Sequence, residues 1–427
     1  MILLSETMRL LCLCLFGAVA VWAQGIADPA FEKIPFEQWL KGGSEARMRW
    51  SMRTLPARLT VHQRLSATVS VEIDGSEFVN RNKPREMVVF LEIRDHENRT
   101  YRSHQALNLK ELKKPSDVAA VTLQMNAFVR PGSYEVAAAV YDAESKEHSL
   151  KRAKMRVAVL PRDPLPGMWR DLPSAEFYNA TDPLERWYLP EISSRLHLPV
   201  ETARPMRVEV VVNESASETA MGRSGRVSRR NMGNLLPALK VISQMKILNG
   251  SMKLSLLDLE RRKVGYSQEV AGQLDWTRLR TALLENDPDR IDVHALENHE
   301  QNAQFFVSEV RKRLDARAVI VLSGPMAFSR GEDLRPIEAV ETGCRVFYIR
   351  YYPPRPGAFI SMGPSPEMLG RVGRGGNGRF GDTPGMPIAD SLVGTLKPLG
   401  PRLFDVTTPA DFRNALAAIM SEISQLK

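Results

Sequence analysis

The apolar period changes once along this chain, and that change limits the fold more than any other feature. Leu65, Ala67, Val69, Val71 and Ile73 alternate with Ser66, Thr68, Ser70 and Glu72 before Asp74-Gly75. The same alternation returns in Val89–Ile93, in Ala119–Met125, in Tyr134–Val140 after Pro131-Gly132, and in Met155–Val159. A period of two places every second side chain on one face of a strand. Strands separated by turn residues, with no helical period between them, predict an antiparallel β-sandwich over residues 52–160. The immunoglobulin-like class is expected, without the disulfide marks of antibody domains.

From Met206 onward strands and helices alternate. MRVEVVVN reads as a strand, and Leu235, Leu239, Ile242 and Met245 mark a helix starting near Asn234 that Asn249-Gly250 ends. Strands follow at Met252–Leu257 and Lys263–Tyr266, helices at Trp276–Leu284 and Gln301–Leu314. Ala318–Leu322 and Val346–Ile349 are apolar throughout, as strands buried on both faces are. Leu403–Val406 is a short last strand, and Thr408-Pro409-Ala410-Asp411 caps a final helix with the stripe Leu416, Ile419 and Ile423. This order predicts a doubly wound α/β sheet over residues 206–427.

The remaining segments set the context. Arg9 precedes the apolar run Leu10–Val21, and Val21-Trp22-Ala23 offers small residues before a cut, so residues 1–23 read as a signal peptide and Gln24 as the first mature residue. The run is shorter than the roughly 20 residues a membrane-spanning helix needs. A periplasmic or extracellular mature chain with no transmembrane helix is therefore expected. Cys12 and Cys14 fall in the signal, which leaves Cys344 as a small hydrophobe and no internal disulfide. Residues 24–51 are polar and mixed, with a short amphipathic piece around Ile34–Leu40. Residues 161–205 form a bridge rich in proline and aromatics, including Trp169, Phe177, Trp187 and Tyr188, which is expected to pack rather than swing. Residues 353–387 are a Gly/Pro-rich insertion with GRVGRGGNGRFG at its centre. A net charge of +8 is a mild basic bias for 427 residues and does not by itself point to nucleic acid.

The strand Met206–Asn213 runs into Asn213-Glu214-Ser215-Ala216-Ser217, a polar corner at the carboxyl end of a sheet strand, where open α/β folds gather ligands. The corner and the element order resemble the von Willebrand factor type A domain, whose Asp-x-Ser-x-Ser corner helps hold a divalent cation. The whole plan, an exported β-sandwich followed by such a domain, is similar to type A-related proteins of acidobacterial-like genomes. The resemblance implies metal ligands at the corner acid, its two serines, a threonine between the second and third helices and an acid ending the fourth strand. Ser215 and Ser217 match. Asn213 replaces the first acid, Gly324 stands in the place of the second, and Asp287–His294 has no threonine. A cation such as magnesium wants several oxygens and net negative charge. The expectation is a degenerate metal corner at Asn213, Ser215 and Ser217, with no cofactor. The bland reading of the same residues is a turn that caps the next element.

Two arginine-bearing segments follow strands of this sheet. Gly222–Arg230 carries Arg223, Arg226, Arg229 and Arg230, and the insertion carries Arg371, Arg374 and Arg379. Guanidinium groups there hold carboxylates or phosphates through charge-assisted hydrogen bonds. His294 and His299 form no metal motif, and the insertion lacks the Gly-Lys-Ser/Thr ending of a phosphate loop. The favoured reading is an exported non-enzymatic protein binding a protein or an acidic envelope polymer. The alternatives are an envelope or polysaccharide hydrolase with an interdomain pocket, and a structural part of an envelope or secretion assembly.

Overall fold

The protein is described here by a computed structural model, in which residues 28–79, 86–108, 119–178, 193–215, 232–270, 273–285, 295, 298–326, 343–352 and 390–426 are placed. The chain is mixed α/β, with antiparallel sheets and one largely parallel sheet. It divides into two compact units. The first is Met1–Arg58, Leu65–Pro161 and Pro173–Asn179; the second is Leu59–Arg64, Arg162–Leu172 and Ala180–Lys427.

In the first unit, a short 3-10 helix at Pro29–Lys33 and helix α1 (Phe36–Gly42) precede strands β1 (Trp50–Leu59) and β2 (Leu65–Asp74). Then come α2 (Ser76–Val79), β3 (Glu86–Arg94), β4 (Thr100–Asn108), β5 (Ala120–Val129), β6 (Gly132–Asp142), β7 (His148–Val157) and β8 (Ala175–Phe177). They make two four-stranded sheets, ordered β1-β2-β5-β8 and β4-β3-β6-β7. The alternation seen in the sequence is the burial pattern: Leu65, Ala67, Val69, Val71 and Ile73 are buried, their neighbours less so. Cross-links join the sheets, Trp50 Nε1 donating to Ser149 Oγ at 2.9 Å and Tyr134 OH to the Ser174 carbonyl at 2.9 Å.

The N-terminal segment is better ordered than its mixed composition suggested. Phe31, Phe36 and Trp39 pack on Val88, Phe90 and Ala139 of the β4-β3-β6-β7 sheet. Burying one large apolar side chain is worth about 1.5–3 kcal/mol. Three rings together therefore rival the ~5–15 kcal/mol net stability of a domain, so this segment belongs to the core of its unit.

The second unit contains β9 (Leu198–Val200), β10 (Met206–Asn213), α3 (Met232–Ile242), β11 (Met245–Ile247), β12 (Gly250–Asp258), β13 (Lys263–Glu269), α4 (Trp276–Glu285) and α5 (His299–Arg311). It ends with β14 (Ala318–Ser323), β15 (Arg345–Tyr351), α6 (Ser391–Leu396), β16 (Arg402–Val406) and α7 (Pro409–Gln425). The large sheet runs β13-β12-β10-β14-β15-β16, and β9 pairs with β11 separately. Counted in chain order, the six strands read 3-2-1-4-5-6. All pairings are parallel except that of β13, which runs antiparallel at one edge. Gly250 opens β12 where a Cβ would meet the Met206 carbonyl at 2.0 Å, so only glycine allows this close approach.

Helices cover both faces. Phe306 and Val310 of α5 and Leu392 and Leu396 of α6 pack with Val211, Val319, Val321, Val346 and Tyr348. On the other face Tyr351 meets Phe412 of α7, ring centroids 5.5 Å apart. Thr408 and Asp411 form a capping box at the start of α7, each side chain accepting from the other's backbone N–H.

Several elements differ from the sequence reading. β1, β4, α6 and the β9–β11 pair carry no clear apolar period and were not expected. α3 spans Met232–Ile242, so Met245 lies in β11 rather than on its apolar stripe. Val159 lies beyond the end of β7 and is 72% exposed. The boundaries at residues 160 and 205 are redrawn: Arg162–Leu172 belongs to the second unit, while β8 joins the first. Residues 1–23 lie outside the described residues. Among the described residues no helix is long and apolar enough to cross a membrane.

Candidate functional site

In a parallel sheet every strand ends at the same edge, and strand register decides which end residues stand side by side. Val212 pairs with Leu322, which puts Asn213 level with Ser323. Ser323 pairs with Arg350, and Arg350 with Asp405. Asn213, Ser323, Arg350 and Asp405 therefore form one row across four strands at the carboxyl edge. They share the face that packs under α5 and α6, because Val211, Val321 and Tyr348, two residues back, lie in that core. The row crosses the boundary between β10 and β14, where the strand order reverses and ligands of open α/β sheets bind.

The corner is held by its own hydrogen bonds. Asn213 Oδ1 accepts from the Ser215 N–H at 3.1 Å, the turn that asparagine commonly makes with the backbone two residues on. Asn213 Nδ2 donates to Ser323 Oγ at 3.0 Å and to Met326 Sδ at 3.3 Å. Ser215 Oγ accepts from the Leu259 N–H at 2.6 Å, and the Glu214 N–H donates to the Leu257 carbonyl at 3.0 Å. Asn213, Glu214 and Ser215 are all buried.

A carboxylate that the sequence did not point to closes the row from above. Asp390, at the N-cap of α6, accepts from the backbone N–H groups of Met326 and Leu392, each at 3.2 Å. Tyr348 OH donates to Asp390 Oδ2 at 3.1 Å and is also hydrogen-bonded with Ser323. Burial pushes the Asp390 carboxyl above its ordinary range despite these donors and the neighbouring Arg350. Burial, reinforced by Asp390, pushes the Tyr348 phenol well up. Arg350 reaches Asp405 at 2.5 Å and lies 3.6 Å from Asp390, with its guanidinium 5.8 Å from the Tyr352 ring.

The described donors of the corner already have partners within the protein. Asn213 turns its nitrogen, not its oxygen, toward Ser323 and Met326; its oxygen and the Ser215 hydroxyl already accept backbone N–H groups. Among the described residues no group of three or more His, Cys, Asp or Glu side chains is arranged to hold a metal. What the edge presents instead is a guanidinium among hydroxyls and carboxyls, suited to charge-assisted hydrogen bonding.

Of the residues singled out in the sequence, the structure places Asn213 and Ser215 together. Ser217, Arg223, Arg226, Arg229, Arg230, Arg371, Arg374 and Arg379 lie outside the described residues, as does Asp287–His294. The chain enters both arginine-bearing segments from this edge, after Asn213 and after Tyr351. Sequence reading missed Ser323, Tyr348, Arg350, Asp390 and Asp405. One signal was available: Arg350 interrupts the apolar run Val346–Ile349 just where that strand ends. Cys344 is partly buried, and burial pushes its thiol up to about 11.

No family model matches the chain. No curated protein matches it. Among solved structures, the X-ray structure of Northeast Structural Genomics Consortium target SoR45 is 16% identical, with a TM-score of 0.17 over 26% of this chain and 86% of that one. Two structures of a glycosyl hydrolase family 2 member from Bacteroides cellulosilyticus are 8% and 9% identical, with TM-scores of 0.20 and 0.19. They cover 72% and 65% of this chain, which spans only 42% and 35% of theirs. Likenesses this slight carry no argument about fold or activity.

Proposed function

We propose that this is an exported, non-enzymatic protein that binds an acidic macromolecular partner, a protein or an envelope polymer, at the carboxyl edge of its parallel sheet. In this reading the second unit is a doubly wound, type A-like domain working without a full metal site. The two antiparallel sheets form an immunoglobulin-like sandwich that serves as spacer or second contact surface. The observation that carries the reading is the row Asn213-Ser323-Arg350-Asp405 at the point where the strand order reverses.

The segments that follow β10 and β15 in sequence carry Arg223, Arg226, Arg229, Arg230, Arg371, Arg374 and Arg379, whose positive charge would favour an acidic partner. Charge pairs exposed to solvent are screened over about 8–10 Å at ordinary ionic strength, so capture is salt-sensitive. The test is capture of partner from envelope extract by the mature chain at rising salt. Arg226→Ala with Arg229→Ala, and separately deletion of residues 370–381, should each weaken capture while the melting transition stays in place. Capture indifferent to salt and to both changes would reject the edge and move attention to the antiparallel sheets.

A further inference from the structure

We infer that Arg350 is the anchor of a carboxylate-binding site, and that Asp405 occupies the place an acidic peptide side chain takes when it binds. The inference rests on the proposed acidic partner and names the residue that recognises it.

Arg350 has fewer acceptors than donors. A guanidinium carries five N–H donors and cannot discharge itself by losing a proton. The Arg350 side chain is only 15% exposed, so water cannot serve most of those donors. Its Nε is fully buried and has no hydrogen-bond partner. Nη1 stands 3.6 Å from Asp390, beyond hydrogen-bond reach. The close contact is Nη2 with Asp405 at 2.5 Å. A buried donor left without an acceptor loses its hydration with nothing in return, which is unfavourable. A position that tolerates such a shortfall, one strand from the point where the strand order reverses, is suited to receiving an acceptor from outside.

The two resident carboxylates differ in how firmly they are held. Asp390 is 3% exposed and bound by two backbone N–H groups and the Tyr348 hydroxyl, so it is a fixed wall. Asp405 is 55% exposed on the edge strand β16, held by Arg350 and the Tyr352 hydroxyl with no backbone N–H bond among the described residues. An incoming carboxylate replaces Asp405 like for like: it is planar, carries one charge and fits the arginine fork in the same plane. A phosphate group brings up to two charges into a site walled by Asp390 and fits worse.

The test uses the full mature chain with a labelled oligoglutamate peptide, followed by fluorescence anisotropy at low salt, with inorganic phosphate as competitor. Asp405→Asn removes the charge of the internal occupant and should tighten peptide binding several-fold. Asp315→Asn makes the same change in net charge at the opposite edge of the sheet and should leave binding where it was. Arg350→Lys keeps the charge but loses the fork, and should weaken binding by about tenfold. Because Asp405 is exposed, its variant is expected to fold even if the Arg350 variant does not. Peptide affinity that is unchanged or lowered in Asp405→Asn, or raised equally in Asp315→Asn, overturns the site. Phosphate competing as well as free glutamate peptide overturns the carboxylate assignment. Salt-sensitive binding that persists equally in all three variants rejects Arg350 while leaving the arginine-rich edge standing. Failure of the unmodified chain to bind any acidic probe rejects both.

Discussion

Among the arginines withdrawn from water in the second unit, Arg413 and Arg350 are treated differently. Arg413, on α7, is 2% exposed and nearly saturated: Nε and Nη2 form a fork on Asp163 at 2.6 and 2.8 Å. Nη2 also donates to the Leu165 carbonyl, Nη1 meets Met168 Sδ, and the Trp169 ring lies 4.5 Å from the guanidinium. Arg350 has one close partner, and that partner is half in solvent. A buried charge matched on every side fixes the segment Arg162–Leu172 against the last helix. A buried charge matched on one side is adapted to exchange partners.

The largest effect expected from this contrast is on stability. Arg413→Ala strands the Asp163 carboxylate in a buried site, and breaking such a pair typically costs about 3–5 kcal/mol. Arg350→Ala should cost less than about 1.5 kcal/mol, because Asp405 returns to water. Denaturant unfolding of the two variants checks the pair of values, and equal losses would erase the distinction.

Smaller effects are expected at the corner. Ser215→Ala leaves the buried Leu259 N–H without its acceptor, and Asn213→Asp replaces a donor with a charge facing Ser323 and Met326. Each should cost about 1–3 kcal/mol. Magnesium is not expected to restore either variant in thermal melts. Restoration of Asn213→Asp alone would show that one acid is enough to rebuild an ion site here.

The smallest effects are in pH dependence, and their signs oppose. Burial opposes ionisation of Asp163, but its hydrogen bonds from Arg413 and the Leu165 N–H prevail and lower its pKa from 3.8. Its contribution is present above 3.8 and is lost as pH falls through the depressed folded value. Asp390 is raised above 3.8, so its contribution is fullest below that value and is lost as pH rises through the raised one. Stability measured against pH should lose its low-pH slope in Asp163→Asn and its higher-pH slope in Asp390→Asn. Slopes of the same sign would contradict the burial argument for Asp390.

The elements legible in the sequence are those whose burial imposes a period. Ala318–Leu322 and Val346–Ile349 are buried on both faces and read as apolar runs; Leu65–Ile73 is buried on one face and alternates. β1 and β4 lie at sheet edges, where Arg53, Arg58, His104 and Gln105 interrupt any pattern, and Pro56 reads as a break in β1. The corner at Asn213 was legible because a strand ending in Asn-x-Ser is a local signal. Asp390 was not, because it follows a glycine-rich insertion and owes its place to contacts with Met326 and Tyr348, 64 and 42 residues away in sequence. Arg350 breaks the apolar run after Ile349, but its role depends on Asp390 and Asp405, which other elements supply.

The central claim is that the carboxyl edge of the parallel sheet is the binding face. Amide hydrogen exchange on the mature chain, with and without its captured partner, tests it most directly. The expected result is slowed exchange at Asn213–Ser215, Ser323–Met326 and Tyr348–Tyr352, with the antiparallel sheets unchanged. Protection confined to Trp50–Val157 would contradict it and assign binding to the first unit.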